Sequence, residues 1–260
     1  MNKRILIKVG IIVTVILIAI AVPLLIGLSK VSAVDLTIQY PDNTIILQKD
    51  SIETDLLSKY GNFIAYKRNQ IDSKGIKKFL ENKNFVEHAT VSVSLTGILR
   101  ITIVQKSIIA RVFTTNKENF YIDKNLSIIR TNNLNESVRC LYVTGEIKEK
   151  PKNTIDNLKN KNCYEVYKLA MEISTNQTLK EWIGGIHKLK ETWILTPLQG
   201  DYTITLGKEE KWKNELEKLQ HLIELYLKKQ GCSNYENIDL RFHNQVVCSK
   251  KNDSEQTKIK

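Results

Sequence analysis

His88-Ala-Thr-Val-Ser-Val-Ser-Leu-Thr-Gly-Ile-Leu-Arg-Ile-Thr-Ile-Val104 alternates apolar and polar residues on both sides of Thr96-Gly97. A period of two puts every second side chain on one face, the pattern of a half-buried strand. Thr-Gly is a turn-forming pair, so two strands, His88 to Leu95 and Ile98 to Val104, are expected to fold into a hairpin. Upstream, Asp72 is a candidate N-cap for a helix on which Ile76, Phe79 and Leu80 fall at i, i+3, i+4. Before it, Asp50-Ser51-Ile52-Glu53 reads as a capping box opening a helix through Leu56, Leu57 and Tyr60, with Gly61 as its stop. Val34 to Tyr40 alternates again, as a strand does. The order strand, helix, helix, strand, strand predicts a three-stranded sheet covered on one face by two helices.

Further upstream, Val9 to Leu28 carries no charged residue. Such a run reaches about 30 Å as a helix at about 1.5 Å per residue, the thickness of a bilayer's hydrocarbon. Lys3, Arg4 and Lys8 precede it, which predicts a cytoplasmic N-terminus (residues 1–8), a single transmembrane helix (9–28) in contact with lipid, and an extracytoplasmic remainder. The alternative is a cleaved signal peptide, since Val31-Ser32-Ala33 offers small residues at a plausible peptidase site.

Downstream, Phe120 to Asp123 reads as a strand entering a turn in which Asn125 tolerates a positive φ. Leu141-Tyr-Val-Thr-Gly145 repeats that logic. A helix is expected around Tyr164 to Ser174, with Val166, Leu169, Ala170 and Ile173 on one stripe. Trp193 to Pro197 and Gly200 to Gly207 read as strands, and Gly184-Gly185 as a turn. A long helix from about Lys208 to Lys229 sets Trp212, Leu216, Leu219, Ile223, Tyr226 and Leu227 along one face, for which core packing is the plain explanation. Gly231 ends it, and a last strand pair or bent strand follows through Tyr235 to Cys248. The tail, residues 251–260, is polar, without periodic apolar signal, and expected to be disordered.

The 260 residues, 42% hydrophobic and 26% charged, have the composition of a folded protein with one or two domains. The net charge of +11 is spread out. Basic runs such as Lys148 to Lys152 are short and broken by acidic residues, which argues against nucleic-acid binding. Cys140, Cys163, Cys232 and Cys248 include no C-x-x-C pair. A Cys232–Cys248 disulfide is the pairing to test first, burial as small apolar residues being the alternative. His88, His187, His221 and His243 lack metal-ligand spacing, and no P-loop, G-x-S-x-G or G-x-G-x-x-G pattern occurs. No catalytic, metal or cofactor site and no small-molecule substrate is therefore expected. The sequons at Asn135, Asn176 and Asn252 are assigned no function.

Asn84-Phe85-Val86, Val91 to Leu95 and Leu99 to Val104, followed by Ile109-Ala110-Arg111-Val112, resemble the POTRA domain of the FtsQ/DivIB division proteins, although Ile109 stands where family members usually carry Pro. Tyr121-Ile122-Asp123 resembles the family's Tyr-Ile-Asp step with its later Gly replaced. Trp193 to Pro197 and Gly200 to Gly207 resemble the corresponding stretch in members from the Bacteroidetes lineage, and the stretch Tyr235-x-x-Ile238-Asp239-Leu240-Arg241-Phe242-x-Asn244-Gln245-Val246-Val247-Cys248 is the most specific likeness. The resemblance implies an α+β protein with an N-terminal transmembrane helix, a POTRA domain at 34–113, and an FtsQ-type β domain at 114–250 whose antiparallel sheet ends in an exposed edge strand. It implies a non-enzymatic divisome scaffold of the inner membrane that binds FtsB-like and FtsL-like partners and helps control septal peptidoglycan synthesis. The family's partner strand docks on the last strand, which maps to Asp239, Leu240, Arg241, Phe242, Gln245, Val246 and Val247. Arg241 is then expected to meet an acidic partner residue and Phe242 an apolar one. A competing reading is a POTRA-bearing scaffold of another envelope assembly system, whose repeated POTRA units or barrel do not appear here. Another is a membrane-tethered wall hydrolase, which zymogram activity lost on replacing a His or Cys would reveal.

Overall fold

A computed structural model describes residues 3–42, 44–130, 138–155, 159–230, 235–243 and 245–251. Cys232 of the expected disulfide, the sequons at Asn135 and Asn252, the helix stop Gly231 and nearly all of the tail lie outside the described residues. The chain divides into two units, 1–106 and 107–260.

The apolar N-terminal run is helical, α1 (Lys3–Leu28), with residues 11–22 exposed. Yet among the described residues no helix is long and apolar enough to cross a membrane. The expectation of a transmembrane helix at 9–28 is corrected accordingly.

In the first unit, β1 (Ala33–Gln39) is followed by α2 (Lys49–Tyr60), α3 (Ser73–Glu81), β2 (Val86–Val93) and β3 (Ile98–Gln105), the expected element order. β3 is the central strand. β1 joins it in parallel, Ala33 opposite Ile98, and β2 antiparallel, Val93 opposite Leu99. Gly97 closes the hairpin at φ +88°, a left-handed conformation, where a Cβ would come within 2.9 Å of the Lys30 carbonyl oxygen, so only glycine fits. Asp72 caps α3 by accepting the Gly75 N–H at 2.9 Å. α2 instead starts one residue before the expected box, behind Gln48, and no side chain caps it. Ile52, Leu56, Ile76 and Leu80 from the helices meet Leu36, Leu99, Ile101 and Ile103 from the sheet in one buried cluster. Gln105 is buried and fully used: its Oε1 accepts the N–H groups of Ile46 and Leu47 (2.8 and 2.9 Å), and its Nε2 donates to the Thr44 carbonyl (2.7 Å).

The second unit begins with β4 (Ile108–Phe113), which the sequence had grouped with the first. β5 (Asn119–Asp123), β6 (Ile128–Ile129), β7 (Leu141–Gly145), α4 (Lys161–Thr175), α5 (Gln177–Trp182), β8 (Ile183–Leu189), β9 (Thr192–Pro197) and β10 (Thr203–Leu206) follow. After these come α6 (Trp212–Leu222), a π-helical turn (Ile223–Leu227), β11 (Tyr235–Asp239) and β12 (Val247–Lys250). Among the described residues they build a nine-stranded sheet in the order β12-β11-β10-β9-β8-β7-β4-β5-β6. The sheet is mixed, which corrects the expectation of an antiparallel one: β4–β7, β7–β8 and β10–β11 are parallel. For two of these three pairs the cause is the helices. A parallel pair needs a crossover that brings the chain back to the starting end; α4 and α5 supply it between β7 and β8, and α6 between β10 and β11.

These crossovers cover one face of the sheet. Val166, Leu169, Ala170 and Ile173 of α4 and Leu216 and Leu219 of α6 pack on Val112, Val143, Leu195, Ile204 and Ile238. Lys188 and Glu165, both nearly buried, pair at 2.8 Å and fasten α4 to β8, with the ammonium 4.2 Å from the Trp193 ring. Trp193 and Trp212 meet edge to face at 5.5 Å, and the Trp212 indole N–H donates to the Gly207 carbonyl. Gly184-Gly185, expected to form a turn, lies inside β8; a Cβ on Gly184 would sit 2.6 Å from Leu198 Cδ2, so a larger residue there requires the Leu198 side chain to shift. The positive φ of the 123–127 turn falls on Leu126 (+62°) rather than Asn125, because Asp123 Oδ1 gathers the N–H groups of Asn125 and Ser127.

A candidate docking edge at the end of the sheet

β12 is an outermost strand, paired only through β11 among the described residues. An edge strand leaves N–H and C=O groups open on its outer side, a template for a further strand. β11 lies parallel to β10, with Thr203 opposite Asn237 and Thr205 opposite Asp239. Both threonine hydroxyls donate to Asn237 Oδ1 at 3.0 Å. The Leu240 N–H donates to the Thr205 carbonyl at 3.0 Å, which continues this pairing one step past the strand.

Beyond Leu240 the chain turns, and the predicted residues divide by environment. Leu240 is fully buried, so its side chain belongs to the core and not to the surface. Asp239 is nearly buried and holds Arg241 in a fork: Nε donates to Oδ1 at 2.9 Å and Nη2 to Oδ2 at 2.6 Å. The Arg241 N–H also donates to Oδ1, at 3.1 Å. Hydrogen bonding from the Arg241 side chain, ahead of every other cause, holds the Asp239 carboxyl below its ordinary 3.8. Arg241 remains half-exposed, Phe242 is 45% exposed, and Val247 is 38% exposed. Gln245 is exposed, whereas Val246 packs partly against the core. Arg241, Phe242 and Val247 are therefore brought to the surface along the edge, while Leu240 is not.

Two residues on α6 that the sequence did not single out complete the place. Lys218 donates from Nζ to the carbonyls of Leu240 (2.6 Å) and Phe242 (2.7 Å), with that of Gln245 at 3.4 Å. Glu215 is buried; its Oε2 accepts the Gly207 N–H at 2.8 Å, and its Oε1 has no hydrogen-bond partner. Burial, ahead of the charges around it, pushes this carboxyl above its ordinary 4.5. Gly207 leaves room for the pair of stems: a Cβ there would meet Glu215 Oε1 at 3.0 Å and Arg241 Cγ at 3.4 Å. Glu215 lies on the buried stripe of α6, between Trp212 and Leu219, where a carboxylate interrupts the apolar pattern, whereas Lys218 sits half-buried beside that stripe, where periodicity gave no signal.

Among the described residues no three His, Cys, Asp or Glu side chains are placed to hold a metal. His88 pairs with Glu81 at 2.9 Å and His187 Nδ1 with the Thr144 hydroxyl at 2.9 Å, each within its own unit.

Residues 108–249, which run from the first strand of this unit to the last, match the model of a domain described as FtsQ/DivIB, C-terminal related. A module of the bacterial cell-division machinery is thus the class that this unit defines. The chain belongs to the FtsQ/DivIB family, whose members are non-enzymatic division proteins. No curated relative matches the chain.

Proposed function

We propose that this protein is a scaffold of the divisome that captures an FtsB-like partner, in a complex with an FtsL-like one, by adding a strand of the partner to β12, and that it thereby helps control septal peptidoglycan synthesis. The observation that carries this reading is the open edge of β12, continuous with a turn that presents Arg241 and Phe242. Main-chain hydrogen bonds supply affinity, and side chains alternating along the edge supply selectivity. Arg241 spends Nε and one Nη2 proton on Asp239, and its remaining donors are free to meet a partner carboxylate. Phe242 gives an apolar anchor beside it. The first unit, with its β-α-α-β-β order and β1-β3-β2 sheet, supports a POTRA-like module; its role is recruitment to the division site.

The test is charge reversal at the fork. Arg241→Glu in the full chain abolishes capture of an FtsB-like partner peptide while the fold, read by circular dichroism, is retained. A folded variant that binds with wild-type affinity refutes the docking edge. Depletion of the protein in its host produces unseptated filaments; normal septation on depletion refutes the division role.

A further inference from the structure

We infer that Lys218 is the positioning residue of this edge: its ammonium, seated among the carbonyls of Leu240, Phe242 and Gln245, fixes the turn from which β12 starts, so that the strand is ordered before any partner arrives. The inference rests on the docking reading above and adds to it a residue that need not touch the partner.

The geometry is specific. An ammonium has three N–H donors and no acceptor. Lys218 spends them on three carbonyls of one turn, two of the contacts being short at 2.6 and 2.7 Å. None of the three carbonyls belongs to a residue paired in the β11–β12 ladder, which joins Asp239 to Val247 and leaves 240–246 as the connection. Outside the ladder these oxygens are open to another donor, and Lys218 reaches all three. The lysine stem is itself held, because Leu216 and Leu219 on either side of it are 4% and 0% exposed and fix the face of α6.

One helical turn earlier, Glu215 reaches in another direction and accepts the N–H of Gly207, just past β10. Side chains three apart on a helix are neighbours. Two adjacent side chains of α6 thus tie one helix to two places, the end of β10 and the turn before β12. With its turn fixed, β12 does not have to be ordered at the moment of binding, and that ordering is a cost that weakens association when the free edge is loose.

The experiment compares Lys218→Met, Lys218→Arg and Arg241→Glu in the full chain. Two readouts are used: amide hydrogen exchange across residues 245–251, and titration with a synthetic peptide of the FtsB-like partner's strand-forming segment. Lys218→Met is expected to raise exchange in 245–251 while β8 and β9 keep their protection, and to weaken peptide binding about tenfold, equivalent to about 1.4 kcal/mol. Lys218→Arg, which keeps the charge but changes the donor geometry, recovers part of both losses. Wild-type exchange in Lys218→Met overturns the inference. So does an even loss of protection over the whole sheet, which marks plain destabilisation, and so does a loosened edge that binds the peptide as before. Arg241→Glu separates the two claims: if that variant binds like the wild type, the docking reading fails, and the exchange data, recorded without peptide, still judge whether Lys218 orders the edge.

Discussion

Asp239 and Arg241, two positions apart at the end of β11, form a two-point ion pair in which the nearly buried carboxylate aims a half-exposed guanidinium outward. Asp239→Asn breaks the fork and frees the arginine. Because Arg241 is half in solvent, screening limits the expected loss of stability to about 1 kcal/mol. The carboxyl is held below its ordinary 3.8, so its stabilisation is fully present above that value and is lost as pH falls through the lower folded one. Urea denaturation is expected to show a wild-type advantage over Asp239→Asn at neutral pH that disappears in strong acid. A gap that stays constant with pH contradicts the assignment.

Glu215 has the opposite sign. Its carboxyl is raised above 4.5 by burial, so its favourable contribution is complete below that value and lost as pH rises through the raised folded one. Glu215→Gln keeps an acceptor for the Gly207 N–H and removes the buried charge. The variant is expected to equal or exceed the wild type at neutral pH, by up to about 1 kcal/mol. That advantage fades toward pH 4, and denaturation midpoints measured between pH 4 and 8 decide it.

Leu240 and Phe242, both placed at the docking edge by sequence, are expected to behave differently. Leu240→Ala opens a hole in the core and costs about 2–5 kcal/mol of stability. Phe242→Ala removes a side chain that is 45% exposed, changes stability by no more than about 0.5 kcal/mol, and weakens partner binding by more than about 1 kcal/mol. Thermal denaturation together with calorimetric titration separates the two effects.

The thiols of Cys140 and Cys163 are each pushed up to about 12, chiefly by burial. Thiolate is the reactive form. Iodoacetamide at pH 8 is expected to leave both unmodified in the native chain and to alkylate both in denaturant, with peptide mass mapping to locate the label. Rapid native labelling of Cys163 would show that its place in the core is wrong.

Much of this fold was legible where the signal is local. The hairpin around Gly97, the cap at Asp72 and the α4 stripe of Val166, Leu169, Ala170 and Ile173 all follow from period, turn and capping chemistry, and they appear where expected. What stayed hidden depends on distant partners. Gly184 looks like a turn residue until Leu198, just past the end of β9, occupies the space of its missing side chain. The α6 stripe was read one residue too generously: the π-helical turn at Ile223–Leu227 changes the phase, so that Leu227 stays buried and Tyr226 turns out to 53% exposure. Parallel pairing of β4, β7 and β8 leaves no mark on any single strand. For the proposed edge, similarity points to the stretch from Asp239 to Val247, but only the fold separates the buried Leu240 from its exposed neighbours and brings in Lys218 from α6.

The strand order has a consequence for synthesis. After β4, two strands are laid down on one side, and then β7, β8, β9, β10, β11 and β12 are added one after another on the other side, each beside its predecessor. The boundary of the sheet therefore moves outward along the sequence, and among the described residues its outermost position is held by β12. A chain that stops early presents a different border, with other residues on it. Docking on β12 would accordingly distinguish chains that carry β12 from chains cut short before it, without any separate proofreading step.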